Sequence, residues 1–166
     1  LTQLLFDGWG TKKEIERQEA RVRSTSSRVG EAAEFSGLDT VEGFFEVLRQ
    51  RDLLAIAQAN VDDHLRILNK IEEGAKAGTV TDGDLSQAHA RLAQAKATVS
   101  SIQEALRRAE SLFVQKTGDF PGSLVFPDVP RSALPQSVDD AVRTAITMSP
   151  TLSVFEADID VAKAEA

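Results

Sequence analysis

From Thr11 to Thr117 the chain runs without a proline, although it contains five. Pro121, Pro127, Pro130, Pro135 and Pro150 all come later. Proline removes a backbone donor and clashes with the preceding turn, so its absence over such a span permits unbroken helix. The best break signal within it is Gly74-Ala75-Lys76-Ala77-Gly78-Thr79-Val80-Thr81-Asp82-Gly83-Asp84. Closely spaced glycines followed by Thr and Asp read as a helix stop, a tight turn over about 78–84 and a helix start. The expected structure is a very long helix, a reversal, and a second long helix packed back on the first.

Hydrophobic spacing supports both helices. In the first, Ile15, Val22 and Val29 recur every seven residues among charged neighbours. After Leu38 the pattern strengthens: Val47, Leu54, Val61, Leu68 and Ala75 form one stripe. Ala57, His64 and Ile71 fill its intermediate position, whereas Gln50 does not. Phe45, Leu48, Ala55 and Ala59 lie on another face. A helix from Thr11 to Ala77 would span about 100 Å at ~1.5 Å per residue. Thr11 is placed to cap it, with Glu14 as its capping-box partner.

The returning helix has the cleaner seam. Leu85, Ala88, Leu92, Ala95, Val99, Ile102, Leu106, Ala109 and Phe113 keep a 3-4 spacing without a miss, the mark of coiled-coil packing. A second row of Ala90, Ala93, Ala97, Ser100 and Ser101 is small. Such a row either lets another backbone approach or reflects alanine as a good helix former on a solvent face.

The flanks differ in kind. Leu1 to Gly10 (LTQLLFDGWG) reads as a β-strand closed by a turn, and it has no partner strand in the sequence. Gly118 ends the second helix, and residues 118–136 form a Pro-rich, extended connector with apolar anchors at Phe120, Leu124, Val125, Phe126 and Val129. Ser137 is expected to cap a helix from Val138 to about Met148, with Asp139 and Asp140 in its first turn where the helix dipole favours them. Ser149-Pro150 breaks the chain. Thr151 or Ser153 then starts a further helix through Leu152, Phe155, Ile159 and Ala162. The beginning inside an apparent strand and the end inside an apparent helix suggest a piece of a longer protein.

Composition narrows function. Aromatics are 5% and alanine is abundant, which suits helices side by side and not a thick core. The net charge of −7 and pI near 4.9 argue against a nucleic-acid surface, because backbone phosphates need a basic stripe. There is no cysteine, hence no disulfide or thiolate site. No apolar run approaches the ~20 residues of a membrane helix.

Nothing points to catalysis. The chain lacks a phosphate-binding glycine loop, a nucleophile elbow and a paired-histidine zinc motif. Its two histidines, His64 and His89, fall about seven residues apart along the hairpin, ~10 Å, too far for one zinc ion. Asp62-Asp63, Glu72-Glu73 and Asp139-Asp140 are adjacent in sequence, so on a helix they diverge by ~100° and do not converge on one proton. No enzyme activity, cofactor or metal is expected. Asp82 and Asp84 read as caps of the second helix or, more sharply, as contacts for a partner.

The order strand, hairpin, linker and helices resembles the TolC family of outer-membrane channel proteins. LTQLLFDGWGT looks like that family's last barrel strand, with Trp9 interrupting its usual glycines. VEGFFEVLRQRDLLAIAQANVDDH is similar to its mid-helix segment, and AGTVTDGDLSQAHARLAQAKA to its hairpin tip and returning helix. The family's recurring Gly, Asp and Gln fall on Gly78, Asp84 and Gln87. LPQSVDDAVRTAITMSPTLSVFEADIDVAKAEA resembles the segment that opens each family repeat, with Ser149 in place of the usual Asn.

The resemblance covers essentially the whole chain. It implies an all-α fragment carrying one orphan strand from a membrane barrel. Residues 1–10 would end that strand and 11–117 would form a periplasmic helical hairpin. Residues 118–136 would be the equatorial linker, and 137–166 equatorial helices and the start of the next repeat. It implies a homotrimer, an inner-membrane ABC or RND pump, and a periplasmic adaptor docked on Gly78, Thr79, Val80, Thr81, Asp82, Asp84 and Gln87. Val47, Leu54, Val61 and Leu68 would form the hairpin seam with Leu85, Leu92, Val99, Ile102, Leu106 and Phe113. The protein would be a passive duct of the Gram-negative envelope. Its style resembles members serving type I protein secretion, with drug efflux as the alternative. Two other readings are a periplasmic adaptor, which also carries a hairpin but flanks it with β-rich halves, and a soluble structural coiled coil.

Overall fold

The computed structural model describes residues 8–165. Those residues are all-α and contain no strand. Four α-helices follow one another: α1 (Gly10–Lys76), α2 (Asp82–Thr117), α3 (Val138–Met148) and α4 (Pro150–Glu165), with a short 3-10 turn at Arg131–Ala133. The strand expected over 1–10 falls largely on residues 1–7, which lie outside the described residues. Its end does not hold: Gly8 and Trp9 form a turn, both with positive φ, and Gly10 is already helical. Trp9 O accepts the Lys13 N–H at 2.9 Å, so Thr11 sits within the first turn and does not flank it. α1 has 67 residues, the expected length displaced by one position.

The chain divides into two compact units. One is Asp39–Pro127; the other combines residues up to Leu38 with those from Asp128 on.

In the Asp39–Pro127 unit, the second half of α1 and α2 form an antiparallel hairpin. Lys116 pairs with Asp39, Arg51 with Glu110, and His89 lies 3.9 Å from Glu72. Val47, Ala57 and Leu68 of α1 and Ala88, Leu92, Ala95 and Ala109 of α2 are buried. Leu54, Val61, Ile71, Leu85, Val99, Ile102, Leu106 and Phe113 are half-buried. Leu68, Ala88 and Leu92 form one cluster with Val61, Ile71 and Leu85 against it. Gln50 departs from the sequence expectation. It fills the intermediate seam position after all, at 6% exposure, and its Nε2 donates to Glu46 Oε1 at 2.8 Å. A buried amide is tolerated when its own helix supplies the acceptor.

α2 ends as expected at Gly118, whose left-handed backbone (φ 81°) donates to Val114 O. The connector then returns along α1. Arg51 donates to Pro121 O and Gly122 O, both at 2.7 Å, and Phe126 lies 6.2 Å from the Phe45 ring. Part of α1's second apolar face is thus covered by the linker and not by another helix.

In the other unit, the first half of α1 pairs with α4. Ser24 Oγ donates to Asp158 Oδ1 at 2.5 Å, Arg28 to Asp158 Oδ2 at 2.6 Å, and Thr151 Oγ1 to Glu31 Oε1 at 2.6 Å. Ala20, Ser24, Val154 and Ala157 are buried. Ser137 caps α3 by accepting the Asp140 N–H. α4 begins at Pro150, not at Thr151 or Ser153. Ser149 caps it, accepting the Leu152 N–H at 3.3 Å. Proline at the first helical position loses no hydrogen bond and presets φ, so the residue that stops α3 also starts α4.

Candidate functional site

The hairpin tip is built by residues 74–87. α1 closes in a double-bonded cap: Gly78 N–H donates to Ala75 O at 3.0 Å and Thr79 N–H to Gly74 O at 2.9 Å. This arrangement needs a left-handed residue at the second position, and Gly78 provides it with φ 73°. Val80 folds back over Gly74. A Cβ at position 74 would stand 2.6 Å from Val80 Cγ2, so glycine there makes room for the turn.

The helix start lies one residue earlier than the carboxylates suggest. Thr81, not Asp82 or Asp84, is the N-cap of α2. Its Oγ1 accepts the Asp84 N–H, and its own N–H donates to Asp84 Oδ2, both at 3.2 Å. The Thr81 hydroxyl also donates to Asp84 Oδ2 at 2.6 Å. These bonds, the hydroxyl first and the backbone second, hold the Asp84 carboxyl below its usual range. The capping box is legible in Thr81-Asp82-Gly83-Asp84 as Thr followed three residues later by an acid.

The predicted docking residues therefore divide. Thr79 donates its hydroxyl to Gly74 O at 3.0 Å, and Thr81 and Asp84 serve the cap. Val80 is half-buried. Asp82 and Gln87 are exposed, and Gln87 borders a cleft of about 110 Å³ shared with His64, Ile67, Ile71, Asp84, Ala88 and Arg91. Glycines and the tip's own hydrogen bonds shape this turn, and Asp82 and Gln87 are exposed polar side chains beside it. Among the described residues no three His, Asp or Glu side chains converge as metal ligands, and no helix is long and apolar enough to cross a membrane.

A second candidate surface was only partly visible in the sequence. Ile15, Val22 and Val29 are 53%, 69% and 66% exposed. Leu152, Phe155 and Ile159 of α4 are also exposed. The buried stripe of this half of α1 holds Ala20 and Ser24, two residues from Val22 and so about 200° around the helix. The apolar face of α3 (Val138, Val142, Ile146) is exposed as well. The seven-residue row was readable; that its opposite face carries the helix contact was not.

No family model, curated protein or solved structure matches the chain.

Proposed function

We propose that this chain is a wall element of a passive, trimeric export duct of the TolC kind in the outer membrane, with its hairpin in the periplasm. Its tip docks a periplasmic adaptor coupled to an inner-membrane pump, and it performs no catalysis. The observation that carries this reading is the combination of a 67-residue helix, a 36-residue return and apolar rows left outside the helix pairs. A self-contained bundle turns its apolar rows inward. A wall element keeps them for neighbouring hairpins. Type I protein secretion is the service proposed, with an ABC pump; small-molecule efflux with an RND pump is the alternative.

The test uses the full-length parent protein. It should fractionate with the outer membrane and extract as a trimer. A cysteine at Thr79 should cross-link to a cysteine-bearing adaptor. A parent that stays soluble and monomeric overturns the duct. A trimer whose Thr79 cysteine never cross-links in an intact assembly overturns the tip as docking site. Loss of an exported polypeptide, with small-molecule resistance unchanged, on deletion of the parent supports secretion over efflux.

A further inference from the structure

Helix α1 is not uniformly supported. From Ser24 to Glu31 it is tied to α4 through Ser24, Arg28 and Glu31, ending at the Thr151–Glu31 hydrogen bond. Further along, its contacts with α2 begin at the Asp39–Lys116 ion pair and at Gly43, which faces Phe113. Between these, Ala32 to Leu38 are all exposed, with Phe35 at 57% and Leu38 at 59%. The stretch holds Gly37, and Gly30 lies just before it. A Cβ at either glycine would meet nothing within 4 Å, so neither is there to make room. Most helix stability in proteins comes from packing, and glycine in a helix interior is the poorest common former after proline.

We propose that residues 32–38, with Gly30 at their edge, are a compliant segment of α1, where the helix opens locally while the Thr151–Glu31 and Asp39–Lys116 contacts on either side stay formed. Local opening free energies track burial, and here burial falls together with helix propensity. The inference holds for the chain whether or not the duct reading is right.

Native-state hydrogen exchange on the 166-residue protein tests it. Amides 34–42 donate across this segment and should exchange at least about tenfold faster than amides 50–70, by opening that leaves the rest protected. Replacing the glycines (Gly30→Ala with Gly37→Ala) should slow exchange of 34–42 about fivefold for each glycine. Amides 50–70 should not change. Far-UV helicity confirms that the variant folds. Equal protection of the two stretches overturns the proposal, as does a variant that slows both alike. Protection of 34–42 that rises with protein concentration would mark an interface and overturn it too.

Discussion

In the hairpin, Val47, Leu68, Ala88 and Leu92 are buried and most charged residues face outward, the half-buried Arg51–Glu110 pair excepted. In the pairing of α1 with α4 the materials are exchanged. Ala20, Ser24, Val154 and Ala157 lie inside, tied by Ser24 and Arg28 to Asp158, while Ile15, Val22, Val29, Phe155 and Ile159 are exposed. Both contacts use helical spacing, so periodicity alone does not distinguish them. The hairpin is held by apolar burial, at roughly 25 cal/mol per Å². The other pair is held by small residues and polar bonds, whose net worth is about 0.5–1.5 kcal/mol each. The hairpin buries bulky apolar side chains along its seam while Ile56, Ile67 and Leu112 stay exposed, whereas the other pairing buries mainly small residues and leaves its bulkier apolar ones outward.

The largest expected effect separates these two. Leu92→Ala should cost about 2–5 kcal/mol, the range for emptying a buried leucine site. Val22→Ala, which also removes aliphatic volume at a heptad position, should stay within about 0.5 kcal/mol. Urea unfolding of both variants measures the contrast. Equal losses would mean that the outer row is covered in the isolated protein, and the contrast between the two regions would collapse.

The second effect lies at the tip, where the hairpin's packing closes. Gly74→Ala puts a methyl group 2.6 Å from Val80 Cγ2. Overpacking costs about 1–3 kcal/mol, offset by up to ~1 kcal/mol of helix propensity, so a net loss near 1 kcal/mol is expected. Val80→Ala in the same background should recover part of it. A Gly74→Ala variant as stable as the parent would mean that the turn relaxes freely.

How much was legible follows the same division. The seam of α2 was readable residue by residue, because an apolar 3-4 repeat facing another apolar repeat has one economical solution. Gly118 and Ser137 were readable because caps are local chemistry. Gln50 was misread as a gap, since its side-chain partner Glu46 is on its own helix and outside the apolar pattern. The sequence points to Asp82 and Asp84 as caps; Asp84 does serve as the capping-box partner, while geometry makes Thr81 the N-cap. Pro150 was read as a breaker, and it is also a helix start. Ile15, Val22 and Val29 were found as a row, but a row shows where apolar residues lie and not whether this chain covers them. The α4 contact through Asp158 was not readable, because a polar pair far apart in sequence leaves no periodic trace.

The third effect probes the polar pair directly. Asp158→Asn keeps the shape and removes the charge that Arg28 meets at 2.6 Å. Both side chains are substantially exposed, so the ion pair itself is worth about 0–1 kcal/mol. Ser24→Ala removes the buried hydroxyl and should cost about 0.5–1.5 kcal/mol. A double variant of Ser24→Ala with Asp158→Ala should lose less than the sum, because each single change already breaks the Ser24–Asp158 hydrogen bond. Strict additivity in a double-mutant cycle would show that Ser24 and Asp158 do not depend on each other. The polar account of this pairing would then fail.

The smallest effect concerns pH at the tip. Asp84 is held below its usual range by the Thr81 hydroxyl and then by the Thr81 N–H. A carboxylate whose folded pKa is depressed adds stability that is fully present above the ordinary value, ~3.9. That stability fades as pH falls through the folded value. Asp84→Asn should therefore be less stable than the parent at neutral pH, and the gap should shrink steadily below about pH 4. Glu14 and Glu46 are also lowered, by Arg17 and Arg49 first, but they are present in both proteins and cancel in the difference. Thermal unfolding of the two proteins between pH 7 and pH 2.5 reads the gap. A gap that does not change with pH would mean that the cap works through a neutral hydrogen bond. The tip would then owe nothing to charge.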